Sequence, residues 1–296
     1  MNPGIYPNTS RADYDAVEAV NQSTIKKFMP NPWAWKQGLK PFEDTASVIH
    51  GRLVEAHLFD DAAELSRYAS LDSLEIKEMM SKAKARGHKG GFSKQLKEYQ
   101  QWKVEQVSVH GRAVIDEASW FAAQYAAANL REDPGIREYL DAKTLETNVM
   151  IVWRDPDTDL LCKALVDCHA RPDDCLCDIK TSAAIMGRCL EDAARKFYYQ
   201  CLDLGYDIQA GAYLDGWEQA RILRTPKYGW RFIVSGNEAP YPAARFSASE
   251  RMIEEGRAKW RAGLKLWKQC HETGEFPGLT SNIAAWVTLE GENFKR

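Results

Sequence analysis

The sequence predicts an α/β (α+β) domain: a mixed central sheet with an antiparallel meander, flanked by helices. Three observations carry this. Residues 145 to 182 hold three β-rich apolar segments separated by two turn signals, DPDTD at 155–159 and RPDD at 171–174. Stretches of helical period lie before and after that block. A fourth β-rich stretch, GWRFIVS, comes after a helix and can therefore return to the same sheet.

Residues 1–20 are polar and read as a loosely held, flexible N-terminus. NQSTIKKFMPNPWAWKQ starts a helix at Asn21 or Ser23, since both can cap free N–H groups, and bends at Pro30 to Pro32. From Asp44 to Phe59, Val48, Ile49, Leu53, Val54 and Leu58 repeat with helical spacing. SLEIKEMMSKAKAR is a helix that runs into RGHKGGFSK, a loop with three glycines. Ser93 to Gln106 reads as helical, and Asp116 to Leu130 as an alanine-rich helix with Trp120, Phe121 and Tyr125 in the core. A short helix begins at Asp133 to Gly135. The strands are LETNVMIVW (Leu145 to Trp153), LLCKALVDCHA and CLCDIKTS. Leu190 to Glu218 is helical with a break near Gly205, Arg245 to Phe246 adds a fifth strand, and Ser249 to Thr273 is a long amphipathic helix. The expected organisation is one domain over 21–280. Its parts are a mainly helical region (21–140), a catalytic sheet and helix (141–250) and a C-terminal helix (249–273). Residues 281–296 form a tail.

The bulk properties narrow the classes. A chain of 296 residues with 45% hydrophobic content can bury a full core. A net charge of −3 gives no global positive field, although 39 Lys and Arg leave room for a local basic groove. No apolar run reaches the ~18 residues of a membrane span, and the N-terminus lacks a basic-then-apolar leader. A cytoplasmic location is expected. The seven cysteines contain no C-x-x-C pair, and Cys175 and Cys177 alternate with Leu176 as small core residues would.

KALVDCHARPDDCLCDIK, residues 163–180, asks for a chemical explanation. The pattern predicts two apolar strands that each finish in an acid, Asp167 and Asp178. Strand residues two apart share a face, so Asp178 and Lys180 project together while Ile179 turns into the core. Asp167, on the neighbouring strand, reaches the same place. Uncompensated carboxylates repel and are costly to desolvate. A hard divalent cation removes that cost, because Mg²⁺ takes carboxylate oxygens. A lysine beside it orients or activates water for attack on a phosphodiester. An exposed hairpin with a Lys–Asp ion pair would show the same D-x-K triplet.

The order of these motifs resembles the PD-(D/E)xK nuclease superfamily. An acid on one strand is followed by D-I-K-T-S on the next, and then by a helix bearing Q-x-x-x-Y (Gln209 to Tyr213). The resemblance is to its RecE-like (exodeoxyribonuclease VIII type) and RecB-like branch of phages and prophages. NQSTIKKFMPNPWAWKQ is similar to that branch's S-x-S-x-L-K-x-F-x-x-S-P opening, and HGRLVEAHLFD at 50–60 to its G-S-x-V-H-x-L-L-L-E helix. The resemblance covers roughly residues 20 to 250 and implies a restriction-endonuclease-like core. It places the first acid at the end of a K/R-x-x-x-D strand, Lys163 to Asp167, rather than at Pro172 and Asp173 in the turn. Aligned on Gly51, the family's metal-binding histidine falls on Glu55, whose carboxylate suits Mg²⁺ or Mn²⁺; His57 is two positions off and His50 precedes the glycine.

By resemblance, then, the metal ligands are Glu55, Asp167, Asp178 and the Ile179 carbonyl. Lys180 positions water, and Gln209 and Tyr213, on one helix face, complete the catalytic set. Thr181, Ser182, Arg188, Arg195 and Lys196 are the candidate DNA contacts, with Tyr198 and Tyr199 beside them for base stacking. Thr181 and Ser182 would equally serve as helix caps, and the basic residues as an ordinary amphipathic face. The implied activity is that of a Mg²⁺-dependent exodeoxyribonuclease, a hydrolase that degrades one strand of linear duplex DNA from the 5′ end. Its product would serve a single-strand annealing recombinase in phage-type recombination. Processive members of the family form homo-oligomeric rings; the sequence itself does not specify one. A structure-specific endonuclease of the same fold and a non-enzymatic nuclease-fold protein that binds DNA or a recombinase are the alternatives. Cutting of circular duplex would mark the first, and DNA binding without cleavage the second.

Overall fold

The computed structural model describes residues 1–38, 45–170, 175–187, 189–221, 229–279 and 281. In chain order the elements are β1 (Gly4–Tyr6), α1 (Arg11–Ala16), α2 (Gln22–Phe28), α3 (Pro32–Lys36), α4 (Ala46–Leu58), α5 (Ala62–Leu65), β2 (Tyr68–Ser70), α6 (Ser73–Ala85), α7 (Lys97–Val104), β3 (Ala113–Ile115), α8 (Glu117–Glu132), α9 (Pro134–Leu140), β4 (Glu146–Arg154), β5 (Leu161–Ala170), β6 (Cys175–Ser182), α10 (Leu190–Asp203), α11 (Tyr206–Ala220), β7 (Gly229–Gly236), β8 (Ala243–Ser247) and α12 (Glu250–Thr273). The central sheet runs β1-β4-β5-β6-β7-β8. Within it only β6 and β7 pair in parallel; the other neighbours are antiparallel. The sheet is therefore mixed, with the expected β4-β5-β6 meander at its centre.

Local chemistry sets the helix starts. The side chains of Asn21, Asp116 and Ser249 accept from N–H groups in the first turns of α2, α8 and α12, each satisfying a donor the helix leaves free. Between α10 and α11, Gly205 takes φ +66°, a left-handed conformation that glycine adopts without Cβ strain.

Helices cover both faces of the sheet. On one face, Ile25, Phe197, Trp217, Trp260 and Leu264 pack against Ile151, Trp153, Val166 and Phe232. On the other, Leu53 and Val54 of α4 and Ala123, Ala126, Ala127 and Leu130 of α8 pack against Cys177, Ile179 and Ile233. Burial of one such large aliphatic side chain stabilises by about 1.5–3 kcal/mol. Helix α11 is the spine. Asp207 and every residue from Gln209 to Trp217 are buried, sandwiched between the sheet and α12. The two helices meet backbone to backbone: a Cβ on Gly256 would stand 1.9 Å from the Asp207 carbonyl oxygen. The acids this buries are compensated, Asp207 by Lys259 at 2.5 Å and Asp215 by Arg257 and Arg261.

Several expectations change. The N-terminus is not loosely held: β1 pairs with Met150–Val152, and Tyr14 of α1 is buried. The tie is Lys163, buried in β5, whose Nζ donates to the Tyr14 carbonyl at 2.7 Å and lies 4.3 Å from the centre of the Tyr14 ring. A buried ammonium needs such partners. Asp167 and Asp178 do not end their strands; both lie within them, because β5 continues to Ala170 and β6 to Ser182. Of the aromatics on α8, Phe121 and Tyr125 are 44% and 65% exposed, and alanines with Leu130 fill that core instead. The structure adds a small parallel sheet of β2 and β3, which the sequence pattern does not signal. The turn at 171–174 and the tail at 282–296 lie outside the described residues. No helix among the described residues is long and apolar enough to cross a membrane.

Candidate active site

The site begins where regular pairing of β5 with β6 stops. The ladder holds for Cys168–Cys177, His169–Leu176 and Ala170–Cys175, then opens at Asp167. There the Asp167 carboxylate replaces a strand carbonyl: its Oδ2 accepts the Ile179 N–H at 2.6 Å. On the other side of β5, Asn148 opposite Asp167 has φ +48° and drops out of the β4–β5 register. Val166 belongs to the core layer under α11, and His169, three residues on, lies 4.6 Å from Trp217 of α11. Strand alternation is therefore interrupted at Asp167, which frees its side chain from the ordinary core.

Asp178 is 1% exposed. Its Oδ1 accepts from Gln209 Nε2 at 2.6 Å, and its Oδ2 pairs with the Lys180 ammonium. The two-residue strand period puts Asp178 and Lys180 on one side, and α11 delivers Gln209 to them. Lys180 also lies 4.8 Å from the centre of the Tyr206 ring. Burial pulls the Lys180 ammonium down, but Asp178 and Asp167 outweigh it and hold the group firmly protonated. Lys180 is thus a donor and a positive charge rather than a base.

Glu55 comes from α4, one turn beyond Gly51, whose missing Cβ would stand 3.4 Å from Thr181 Oγ1 of β6. Helix α4 thus faces β6 next to the acids. Burial, with repulsion from Asp178 and Glu64, raises the Glu55 carboxyl to about 7 against the pull of Arg11 and Lys180. Asp167 is raised well above the carboxylate range by burial, then by Glu55 and Asp178. Glu55 forms no hydrogen bond or ion pair with a described residue. Acids from α4, β5 and β6 therefore share one electrostatic neighbourhood, with Lys180 beside them.

Among the described residues, no group of three or more His, Cys, Asp or Glu side chains is gathered tightly enough to hold a metal ion. Asp178 is meanwhile engaged by Gln209 and Lys180. The donor chemistry still fits a hard divalent cation: two carboxylates destabilised as anions by burial and by repulsion from neighbouring acids, one of them without a hydrogen-bond or ion-pair partner among the described residues. The Ile179 carbonyl lies 3.5 Å from Lys180 Nζ. Neither histidine competes: His57 packs edge-on against Trp120 at 4.8 Å, and His50 lies 6.3 Å from Tyr241, with burial lowering both.

The remaining candidates divide. Tyr213 is a core residue stacked edge-to-face on Trp230, its phenol raised first by burial and then by Asp178 and Asp167. Thr181, Lys196 and the exposed Tyr199 line a cleft of ≈ 570 Å³. Ser182 borders the same cleft but is buried, and its hydroxyl is committed, donating to Gln200 Oε1 at 2.5 Å and accepting from Ala184 N. It closes the end of β6 at the border of that cleft. Arg195 and Lys196 both pair with Asp192 at 2.7 Å. Arg188 lies outside the described residues. A second cleft, ≈ 610 Å³, opens at Glu55 and carries Arg11, Arg52 and Arg67. Sequence reasoning misses Arg11, because its polar segment reads as loose. The available signal is Lys163, a charged residue in an apolar strand that has to be buried against something.

A model of a PDDEXK-like domain of unknown function (DUF3799) matches residues 23–286. Among solved structures, a protein of Eubacterium rectale described as a "Putative exonuclease" aligns at TM-score 0.55 and 12% identity over 97% of both chains. That identity speaks for the fold alone. No curated protein matches the chain. Because the family match spans most of the sequence, the chain belongs to the PDDEXK-like domain family, within the PD-(D/E)xK nuclease superfamily.

Proposed function

We propose that this protein is a divalent-metal-dependent DNA nuclease, specifically a RecE-like exodeoxyribonuclease. It would degrade one strand of linear duplex from the 5′ end in phage-type recombination, with Mg²⁺ or Mn²⁺ as the ion. The observation that carries the reading is the electrostatic coupling of Glu55, Asp167 and Asp178, with a protonated Lys180 paired to Asp178, at the break in the β5–β6 ladder. The preference for ends comes from the family resemblance of the sequence motifs. The family resemblance makes a single-strand annealing recombinase a candidate partner and a homo-oligomeric ring a candidate assembly.

Glu55, Asp167 and Asp178 would hold the cation, and the Ile179 carbonyl would add an oxygen. The cation would supply charge neutralisation and Lewis-acid activation of the phosphodiester and of water. The chain's own groups do the rest. Asp167 is fixed by the Ile179 N–H and Asp178 by Gln209, so both carboxylates are held before substrate arrives. Lys180 donates from its ammonium to the attacking water or a phosphate oxygen, which orients the one and offsets developing charge on the other. The arginines of the cleft beside Glu55 neutralise backbone phosphates.

End-labelled linear duplex and covalently closed circular duplex, each incubated with Mg²⁺ with and without EDTA, form the test. Loss of the 5′ label from linear DNA, sensitivity to EDTA and an intact circle are expected. A cut circle would make the protein an endonuclease. A folded protein that cuts neither DNA with Mg²⁺ or Mn²⁺ would overturn the nuclease reading.

A further inference from the structure

Two ammonium groups face one tyrosine ring. Lys26, in the last turn of α2, lays its stem across Gly205; a Cβ there would meet Lys26 Cδ at 2.5 Å. Its Nζ donates to the Leu204 carbonyl, at the end of α10, at 3.1 Å and lies 5.8 Å from the centre of the Tyr206 ring. Lys180 approaches the same ring at 4.8 Å. Lys26 forms no ion pair with a described residue. The acids that attract it are already engaged, Asp178 by Lys180 and Gln209, and Asp207 by Lys259. Burial and then Lys180 lower Lys26 to about 8, so the surrounding protein does not compensate its charge. Lys180 has Asp178 as its anion, whereas Lys26 has only the Leu204 carbonyl and the Tyr206 ring, so an incoming anion would relieve its repulsion with Lys180. Leu204, whose carbonyl Lys26 holds, also lines the cleft shared by Thr181, Lys196 and Tyr199, which gives an anion a path from solvent.

We propose that Lys26 is a phosphate-binding residue, which with Lys180 grips a nucleic-acid backbone phosphate above the Tyr206 ring. The anion is an oxyanion of a phosphodiester, a group that accepts from two ammonium donors at once. The inference rests on the nuclease reading and deepens it, because it assigns the strand a fixed point next to the acids. The competing role is structural: Lys26 as a plug that closes α10 over Gly205.

K26M keeps the stem and removes the charge; K26R keeps the charge. Binding of a fluorescent duplex oligonucleotide in EDTA, titrated with NaCl, reads the phosphate contact without catalysis. K26M should weaken binding roughly tenfold at low salt and reduce the slope of log affinity against log salt by about one; K26R should restore both. With Mg²⁺, kcat/KM should fall in parallel for K26M and recover in K26R. A K26M protein that melts earlier but keeps the wild-type affinity and slope would overturn the proposal and leave only the plug. Absence of DNA binding by the wild type would overturn it too. A wild type that binds but never cuts would refute the nuclease reading, while the salt slopes still decide on Lys26.

Discussion

Replacing Glu55 with glutamine should stabilise the metal-free protein above neutral pH and at the same time abolish cleavage. The carboxyl is raised from its ordinary 4.5 to about 7, first by burial and then by Asp178 and Glu64. A raised acid means that the folded state holds a proton more tightly than the unfolded chain. Stability contributed by that proton is complete below about 4.5, drains away as pH rises, and is gone above about 7. The difference corresponds to on the order of 3 kcal/mol. Glutamine keeps the shape and cannot ionise, so E55Q avoids the loss. Chemical denaturation of both proteins in EDTA across this pH range reads the effect directly. The curves should coincide at acid pH and separate steadily up to neutrality, with E55Q the more stable. Addition of Mg²⁺ should then favour the wild type, because an ion that binds only the folded state stabilises it. E55Q that is less stable than wild type at pH 8, or equally stable throughout, would refute the picture of Glu55 as an uncompensated acid kept for a cation.

K180M should reduce cleavage by roughly 10²–10³-fold, the usual cost of one transition-state donor, while fluorescence anisotropy still detects DNA binding. Q209L strips the hydrogen bond from buried Asp178 Oδ1; denaturant titration should show a loss of about 1–3 kcal/mol, and kcat should fall more than KM rises as the carboxylate loses its fixed orientation.

Much of the fold was legible because it depends on near neighbours. The apolar period of Val48 to Leu58 and the caps at Asn21, Asp116 and Ser249 are short-range facts, and α2, α4, α8 and α12 form where they point. The turn signal at 155–159 and the β-rich runs around it mark β4 and β5, and the two-residue period alone places Asp178 beside Lys180. Three residues, GIY, carry no strand signal of their own; β1 exists because β4 offers an edge and Lys163 anchors α1 close behind it. The exposure of Phe121 and Tyr125, both apolar enough for a core, depends on which face of α8 meets α4.

The sequence by itself determined the helices, the meander and the local pairing of an acid with a lysine, since each depends on the period of the backbone and on side chains a few residues apart. Only the tertiary structure decided that Glu55 couples electrostatically with Asp167 and Asp178, that the Ser182 hydroxyl bonds Gln200, and that Lys26 shares a tyrosine ring with Lys180. Those outcomes arise from helices docking on a sheet, which brings together residues distant along the chain. Burial and electrostatic coupling act through space, and no spacing along the chain encodes them.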